Sequence, residues 1–441
     1  VSPGGHGHSA RRILLAAYFY PPCSDTGAHR PASLVKYLRR LGHHVTVLTT
    51  SAYGSGRGDA EIDVVRTADA QLWRARIHGE SSIGSLYDND TYSSQPHPLS
   101  KVLVPEPLVA AWLPFALRRA RALHRAKPFE CVITTSPPES VHMIGRSLSH
   151  RGAGWVADIR DAWNFEPLRP PFPTALQTRL DARLERRWLG DADVVTCVSE
   201  PAAQDLRERG IADPELVPNG ADPELLAAAD PQSVSELLDP ARISLVYTGR
   251  FGSFGRDPAQ LVEGITRLAR ESPELAAKLE LVVAGPLTEA ESALFAGDFS
   301  PASVVHVGSL ERAQALALQR AADALLLIAQ PRRSQLANFK LFEYLEAGPP
   351  VLALAEGTEA GRIVTEAGGE TVRADDAEAI AAALARLVSG DLIAPGREAR
   401  AAYAYPAVAE RMAEAVERAI WNSQARQAGG YRASDDWRDE P

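Results

Sequence analysis

The feature that most constrains this 441-residue chain is a pattern that recurs along it: a short apolar run, a loop rich in Gly, Ser or Pro, then a segment with helical spacing. Residues 12–17 (RILLAA) are apolar and short, as a buried strand should be. A Pro/Ser/Gly loop covers 20–27. Residues 31–41 then place Leu34, Leu38 and Leu41 on one helical face. Gly42 stops that helix, and residues 45–49 form a second strand. Strands that are apolar throughout and alternate with helices predict a parallel sheet covered on both faces.

The pattern continues with strands at 132–135, 155–159 and 194–198, and helices at 140–150 and 176–189. Residues 51–107 are polar and read as a long surface excursion. A second series follows Val217-Pro218-Asn219-Gly220, with strands expected at 243–247, 279–284, 304–307, 324–328 and 350–354. The two series predict two Rossmann-like domains, 11–218 and 219–405, with a hinge in the Pro/Gly/Asp-rich stretch 218–240. Residues 401–427 read as a final helical region, of which 406–427 returns to the first domain. Residues 1–10 and 428–441 read as tails.

Composition narrows the class. Hydrophobic residues make up 45%, enough for large cores, which excludes disorder as the main state. With 47 Lys+Arg against 56 Asp+Glu the net charge is -9, which argues against a nucleic-acid binder. Cys23, Cys131 and Cys197 are few, odd in number and far apart. They fit neither a disulfide framework nor a cysteine zinc site, and point to a reducing cytoplasm. The first eight residues lack the shape of a signal peptide, and no run reaches the roughly 18 apolar residues of a membrane span. Residues 112–127 carry Arg118, Arg119, Arg121, Arg125 and Lys127. A solvated helix face is the favoured reading there over peripheral membrane contact.

Open parallel sheets bind ligands at the carboxyl ends of their strands. The first strand of the second series ends in Thr248-Gly249-Arg250-Phe251-Gly252-Ser253-Phe254-Gly255-Arg256. Its glycines admit close approach to backbone, its arginines suit anionic oxygens, and a helix begins near Asp257-Pro258. Further on, Lys340 and Glu343 lie three apart at the start of a short helix. They read either as a surface ion pair or as a phosphate cation and a ribose carboxylate. In the first series, Asp158, Arg160 and Asp161 end a strand. They either pair with one another or reach substrate hydroxyls. His142 reads equally as a buried side chain or a ligand. No GxGxxG or Walker loop is present, no DxD-type pair clearly serves a metal, and Asp222, Asp230 and Asp239 read as structural.

Several strings together resemble a known family. They are Tyr18-Phe19-Tyr20-Pro21-Pro22 followed by Gly27; Gly42-His43-His44-Val45-Thr46-Val47-Leu48-Thr49; Thr135-Ser136-Pro137-Pro138; Asp158-Ile159-Arg160-Asp161-Ala162-Trp163; and Lys340-Leu341-Phe342-Glu343-Tyr344-Leu345-Glu346-Ala347-Gly348-Pro349-Pro350-Val351. Val217-Pro218-Asn219-Gly220-Ala221-Asp222 is similar to the family's interdomain linker. From about Arg12 to about Gln427 the chain resembles a family 4 (group 1) glycosyltransferase of the GT-B fold, in which two Rossmann-like domains face each other across a cleft.

The resemblance implies transfer of a sugar from a GDP- or UDP-sugar, with retention at the anomeric carbon and without a bound metal or other cofactor. It implies that Arg250 and Lys340 hold the diphosphate, with Arg256 near the place of the family's second basic residue. It further assigns Glu343 to the ribose hydroxyls, the loop at Gly308-Ser309-Leu310 to the base, Gly27 to a loop over the diphosphate, and Asp161 to the acceptor. The catalytic set is then Arg250, Lys340 and Asp161. Many relatives carry a first glutamate, for the donor sugar, eight positions before the second; here Gln335 stands there. A nucleotide-sugar epimerase or a non-catalytic nucleotide binder on the same fold are the alternatives.

Overall fold

The computed structural model describes residues 9–23, 26–54, 62–70, 102–167, 169, 171–252, 256–329 and 333–429. They form two α/β units, Val1–Pro218 with Val408–Pro441, and Asn219–Ala407. The first unit has a parallel sheet in the order β3-β2-β1-β4-β5-β6-β7. Its strands are β1 (Arg12–Ala17), β2 (His44–Thr50), β3 (Asp63–Thr67), β4 (Cys131–Ser136), β5 (Gly154–Ile159), β6 (Val194–Cys197) and β7 (Glu215–Leu216). Strands β4, β5 and β6 are buried at every residue, which explains their unbroken apolar or small-residue runs.

The expectation of a surface excursion over 51–107 is corrected at β3, which pairs in parallel with β2. Edge strands need cover on one face only. Asp63-Val64-Val65-Arg66-Thr67 is half-exposed and too short and polar to show as an apolar run. Residues 55–61 and 71–101 of that stretch lie outside the described residues. The other two edge strands that the apolar pattern misses, β7 and β13 (Glu370–Val372), are two and three residues long.

The second unit's sheet runs β10-β9-β8-β11-β12-β13, all parallel. The strands are β8 (Ile243–Thr248), β9 (Leu279–Ala284), β10 (Ser303–Gly308), β11 (Ala324–Ile328), β12 (Val351–Leu354) and β13. The Pro/Gly/Asp-rich residues 219–240 are themselves structured. Asp222 caps the helix Pro223–Ala228, and Asp230 caps the 3-10 turn Pro231–Leu237. Leu226 and Val234 are buried in one core cluster with Leu316 and Leu318.

The last helix, Tyr405–Gln427, returns to the first unit. Arg11 holds Glu417 through two hydrogen bonds of 2.8 and 2.7 Å, and Asn422 donates to the Asp193 carbonyl at 2.8 Å. Gly154 permits the contact: a Cβ there would lie 2.7 Å from the Ala419 backbone.

One buried ion pair ties the first unit together. Arg30, on the helix His29–Arg40, is 1% exposed, and Asp158 on β5 is 0% exposed. The guanidinium donates to both carboxylate oxygens at 3.0 and 2.8 Å, and to the carbonyls of Pro218 and Val217 at 2.7 and 2.9 Å. Thr135 and Thr196, on the flanking strands, donate to the same carboxylate at 2.7 and 2.9 Å. Burial pushes the Asp158 carboxyl up, but the Arg30 charge and these hydrogen bonds outweigh it and hold the group below its ordinary value. Arg30→Ala would leave a buried carboxylate without its cation. It should cost about 3–5 kcal/mol, read as a lower urea midpoint at pH 7, and Asp158→Asn in the same chain should recover part of the loss.

Candidate active site

In the second unit the order of crossovers reverses between β8 and β11, so the crevice lies at the carboxyl ends of those strands. Backbone crowds that edge. A Cβ on Gly285, just after β9, would stand 2.2 Å from the Gly249 carbonyl oxygen. A Cβ on Gly249, just after β8, would stand 2.8 Å from Lys340 Nζ, and Gly249 has φ +109. Gly249 donates to the Ala284 carbonyl at 2.6 Å, and Gly285 to that of Gly308 at 2.8 Å. The three strand ends therefore form a ledge of bare backbone.

The helix Phe339–Ala347 is set against this ledge. Asn338 caps it by accepting from the Leu341 amide at 3.1 Å, and Gly348 ends it with φ +102. Leu341, Phe342, Tyr344 and Leu345 are buried. Tyr344 Oη accepts from the Thr248 amide at 3.0 Å and lies 3.1 Å from Thr248 Oγ1, which also accepts from Gln319 at 3.0 Å. That buried tether joins the helix to the end of β8. It delivers Lys340 to the Gly249 turn and keeps Glu343 one helical turn on.

Lys340 Nζ sits 4.0 Å from the centre of the Tyr247 ring, which stacks on Phe251 with ring centres 4.0 Å apart. Burial, then the Arg256 charge, holds the Lys340 ammonium well below its ordinary value, with Glu343 opposing. The Tyr247 hydroxyl donates to the Arg250 carbonyl at 2.6 Å, and Arg256 Nη1 donates to the same oxygen at 3.0 Å. Burial pushes that phenol up to about 12. The Arg250 side chain is exposed. The structure thus brings Arg250, Arg256 and Lys340 to one turn; Ser253, Phe254 and Gly255 lie outside the described residues. Leu310 packs on the core beside the start of the next helix. Gln335 is buried, with its amide nitrogen unpartnered.

One residue of this crevice escaped the sequence reading. Arg312 Nη2 donates to Glu343 Oε1 in a close ion pair. The partners are 31 positions apart, so no local spacing announces them.

In the first unit the crossovers reverse between β1 and β4. Arg160 spans this crevice: it donates to the carbonyls of Ser136 at 2.6 Å, Gly27 at 2.5 Å and Pro137 at 3.3 Å. The string that ends β5 is therefore divided in its roles. Asp158 turns inward to Arg30, Arg160 staples the Gly27 segment to the end of β4, and Asp161 follows half-buried. His142 is an interior side chain. It is fully buried, shares a 2.9 Å hydrogen bond with Thr134 Oγ1 and stacks on Trp163. Burial, against the pull of Asp158, takes its pKa down to about 3, so the ring is neutral at physiological pH.

Two further acids beside this crevice carry no sequence signal, being 33 positions apart. Glu106 and Glu139 are both buried, and Ser140 beside Glu106 offsets only part of the cost of burying its carboxylate. Burial and then the Glu139 charge push Glu106 up to about 8. Burial raises Glu139 too, against Arg169. Among the described residues no group of three or more His, Cys, Asp or Glu side chains could hold a metal ion.

Residues 26–220 match the family model of the glycosyl transferase 4-like domain, and residues 243–390 that of the glycosyl transferases group 1. The chain belongs to the group 1, family 4-like glycosyltransferases. No curated protein matches its sequence. Among solved structures, this glycosyltransferase is similar to sucrose-phosphate synthase from Thermosynechococcus elongatus, at 17% identity and TM-score 0.58, over 95% of this chain and 97% of that one. It is also similar to α,α-trehalose-phosphate synthase from Burkholderia xenovorans, solved with glucose-6-phosphate (15%, 0.56, covering 96% and 100%). A third is AviGT4, a glycosyltransferase involved in avilamycin A biosynthesis (16%, 0.53, covering 93% and 98%). At these identities the likeness is one of fold, the GT-B fold.

Two outcomes follow for the glycosyltransferase. Gly285→Ala must push the Gly249 turn away and should lower stability by about 2 kcal/mol or more, measured by urea unfolding. The Glu106 carboxyl binds its proton more tightly folded than unfolded. Its contribution is full below the ordinary carboxyl value and is lost as pH rises to about 8. Glu106→Gln should therefore raise the melting temperature at pH 8 while changing it little at pH 5. Equal shifts at both pH values would count against the raised pKa.

Proposed function

We propose that this glycosyltransferase moves a sugar from a GDP- or UDP-sugar to a small-molecule or glycan acceptor, with retention and without a bound metal. The observation that carries the proposal is the convergence of Lys340 and Arg256 on the Gly249–Arg250 turn, with Glu343 one helical turn beyond. That spacing suits a diphosphate followed by a ribose. Arg250, Arg256 and Lys340 face the diphosphate, and Glu343 accepts from ribose hydroxyls. The turn before Leu310 receives the base. Gly27, pinned by Arg160, is a further diphosphate contact, and Asp161 orients the acceptor.

The chemistry follows from charge. As the C1–O bond to the diphosphate breaks, negative charge grows on the leaving phosphoryl oxygens, and preplaced cations stabilise it most there. Arg250, Arg256 and Lys340 supply charge that a divalent ion would otherwise supply. The acceptor hydroxyl forms the new C1–O bond on the face that the diphosphate leaves, and its proton passes to the departing phosphoryl oxygen. Configuration at C1 is thereby retained. Cys131 and Cys197 are buried free thiols, which fits a reducing cytoplasm. Among the described residues no helix is long and apolar enough to cross a membrane. Acceptors of natural-product or cell-envelope biosynthesis suit this reading.

The test is release of nucleoside diphosphate from a panel of UDP- and GDP-sugars, with and without acceptors, with the anomeric form of the product read by NMR. Lys340→Ala should lower kcat by about 10²–10³-fold, as loss of one charge stabiliser does. Glu343→Ala should weaken donor binding about tenfold. If both variants bind and turn over donor like wild type, the site assignment is wrong. Nucleotide release that no acceptor accelerates would favour the epimerase reading.

A further inference from the structure

Arg312 has no place in the roles assigned above, yet it makes the ion pair to the carboxylate assigned to the ribose. Both partners are held by their own elements. Arg312 is the first residue of the helix Arg312–Ala321, and Glu311 caps that helix reciprocally with Gln314. Glu343 stands on a helix fixed by the Asn338 cap and the Tyr344–Thr248 tether. The Arg312 side chain is 45% exposed and that of Glu343 7%, so the arginine lies over a carboxylate otherwise closed in by the core.

We propose that Arg312 is a positioning residue for the nucleotide ribose: its pair with Glu343 fixes the carboxylate for a donor with intact 2′ and 3′ hydroxyls. This rests on the reading of Glu343 as the ribose carboxylate. A carboxylate has about four acceptor sites on two oxygens. Arg312 engages Oε1, and among the described residues no protein donor is bonded to Oε2. The remaining sites are enough for two hydroxyls.

The pair also settles a competition between cations. Lys340 is on the same helical face as Glu343 and feels its charge. Its ammonium nevertheless stays over Tyr247 at the Gly249 turn. With Arg312 removed, Lys340, on the same helical face, is a cation that can neutralise Glu343. The carboxylate would turn toward it, drawing its acceptor oxygens from the ribose. Arg312 emerges from the turn just after Leu310, so one short segment serves both base and ribose.

Calorimetry with UDP, GDP and their 2′-deoxy forms tests this on wild type, Arg312→Ala and Arg312→Lys. For the base that wild type accepts, Arg312→Ala should weaken the ribonucleotide about tenfold and the 2′-deoxy nucleotide less than about twofold. Arg312→Lys should restore part of the discrimination. Arg312→Ala leaves a buried carboxylate without its cation and should lower the melting temperature, whereas a cooperative unfolding transition in each variant reports that it is folded. Equal losses on both nucleotides, or no loss on either, overturn the role of Arg312. Should wild type bind neither UDP nor GDP, or fail to distinguish ribose from 2′-deoxyribose, the fault lies instead with the nucleotide site or with the reading of Glu343.

Discussion

In a parallel sheet every strand ends on the same edge, and that constraint organises each unit of this protein. Crossover helices must run back over the faces, so the strands are buried on both sides and only the carboxyl edge is open to chemistry. The order of crossovers reverses once in each sheet, between β1 and β4 and between β8 and β11. Helices diverge at those two places and leave crevices. Each residue given a chemical role here comes from a loop or helix start beyond the end of a strand.

The two crevices are furnished differently. In the second unit the strand ends are reduced to glycine backbone, against which a single lysine and two arginines stand out. A chain of net charge -9 concentrates cations there, where departing phosphates would need them. In the first unit the charges are mostly turned inward. Arg30 and Asp158 neutralise each other in the core, and Arg160 spends its donors on three backbone carbonyls. Those interactions give shape to the loops beyond the strand ends.

How much was legible varied with locality. The central strands announced themselves because burial on both faces demands continuous apolar or small residues. Strand β3 did not, because an edge strand is covered on one face only and Asp63-Val64-Val65-Arg66-Thr67 has neither a run nor a clean alternation. Lys340 and Glu343 were visible as a pair because helical spacing puts i and i+3 side by side. Arg312 was invisible, since its contact spans 31 residues and depends on how two helices pack. The same holds for Glu106 and Glu139: each alone is an ordinary acid, and only burial side by side makes one carboxyl hold its proton.

The sequence by itself determined what short-range physics controls. This includes the alternation of buried strands and helices, the caps at Asn338, Asp222 and Asp230, and the glycines where backbone must pass close to backbone. It also determined the family, because motif order along the chain survives without reference to space. Only the tertiary structure decided which charges are structural and which stand beside a crevice. Arg30 and Asp158 are 128 positions apart, and Arg312 and Glu343 are 31 apart. A charge acquires its role from the dielectric and the partners around it, and those are properties of the packed chain.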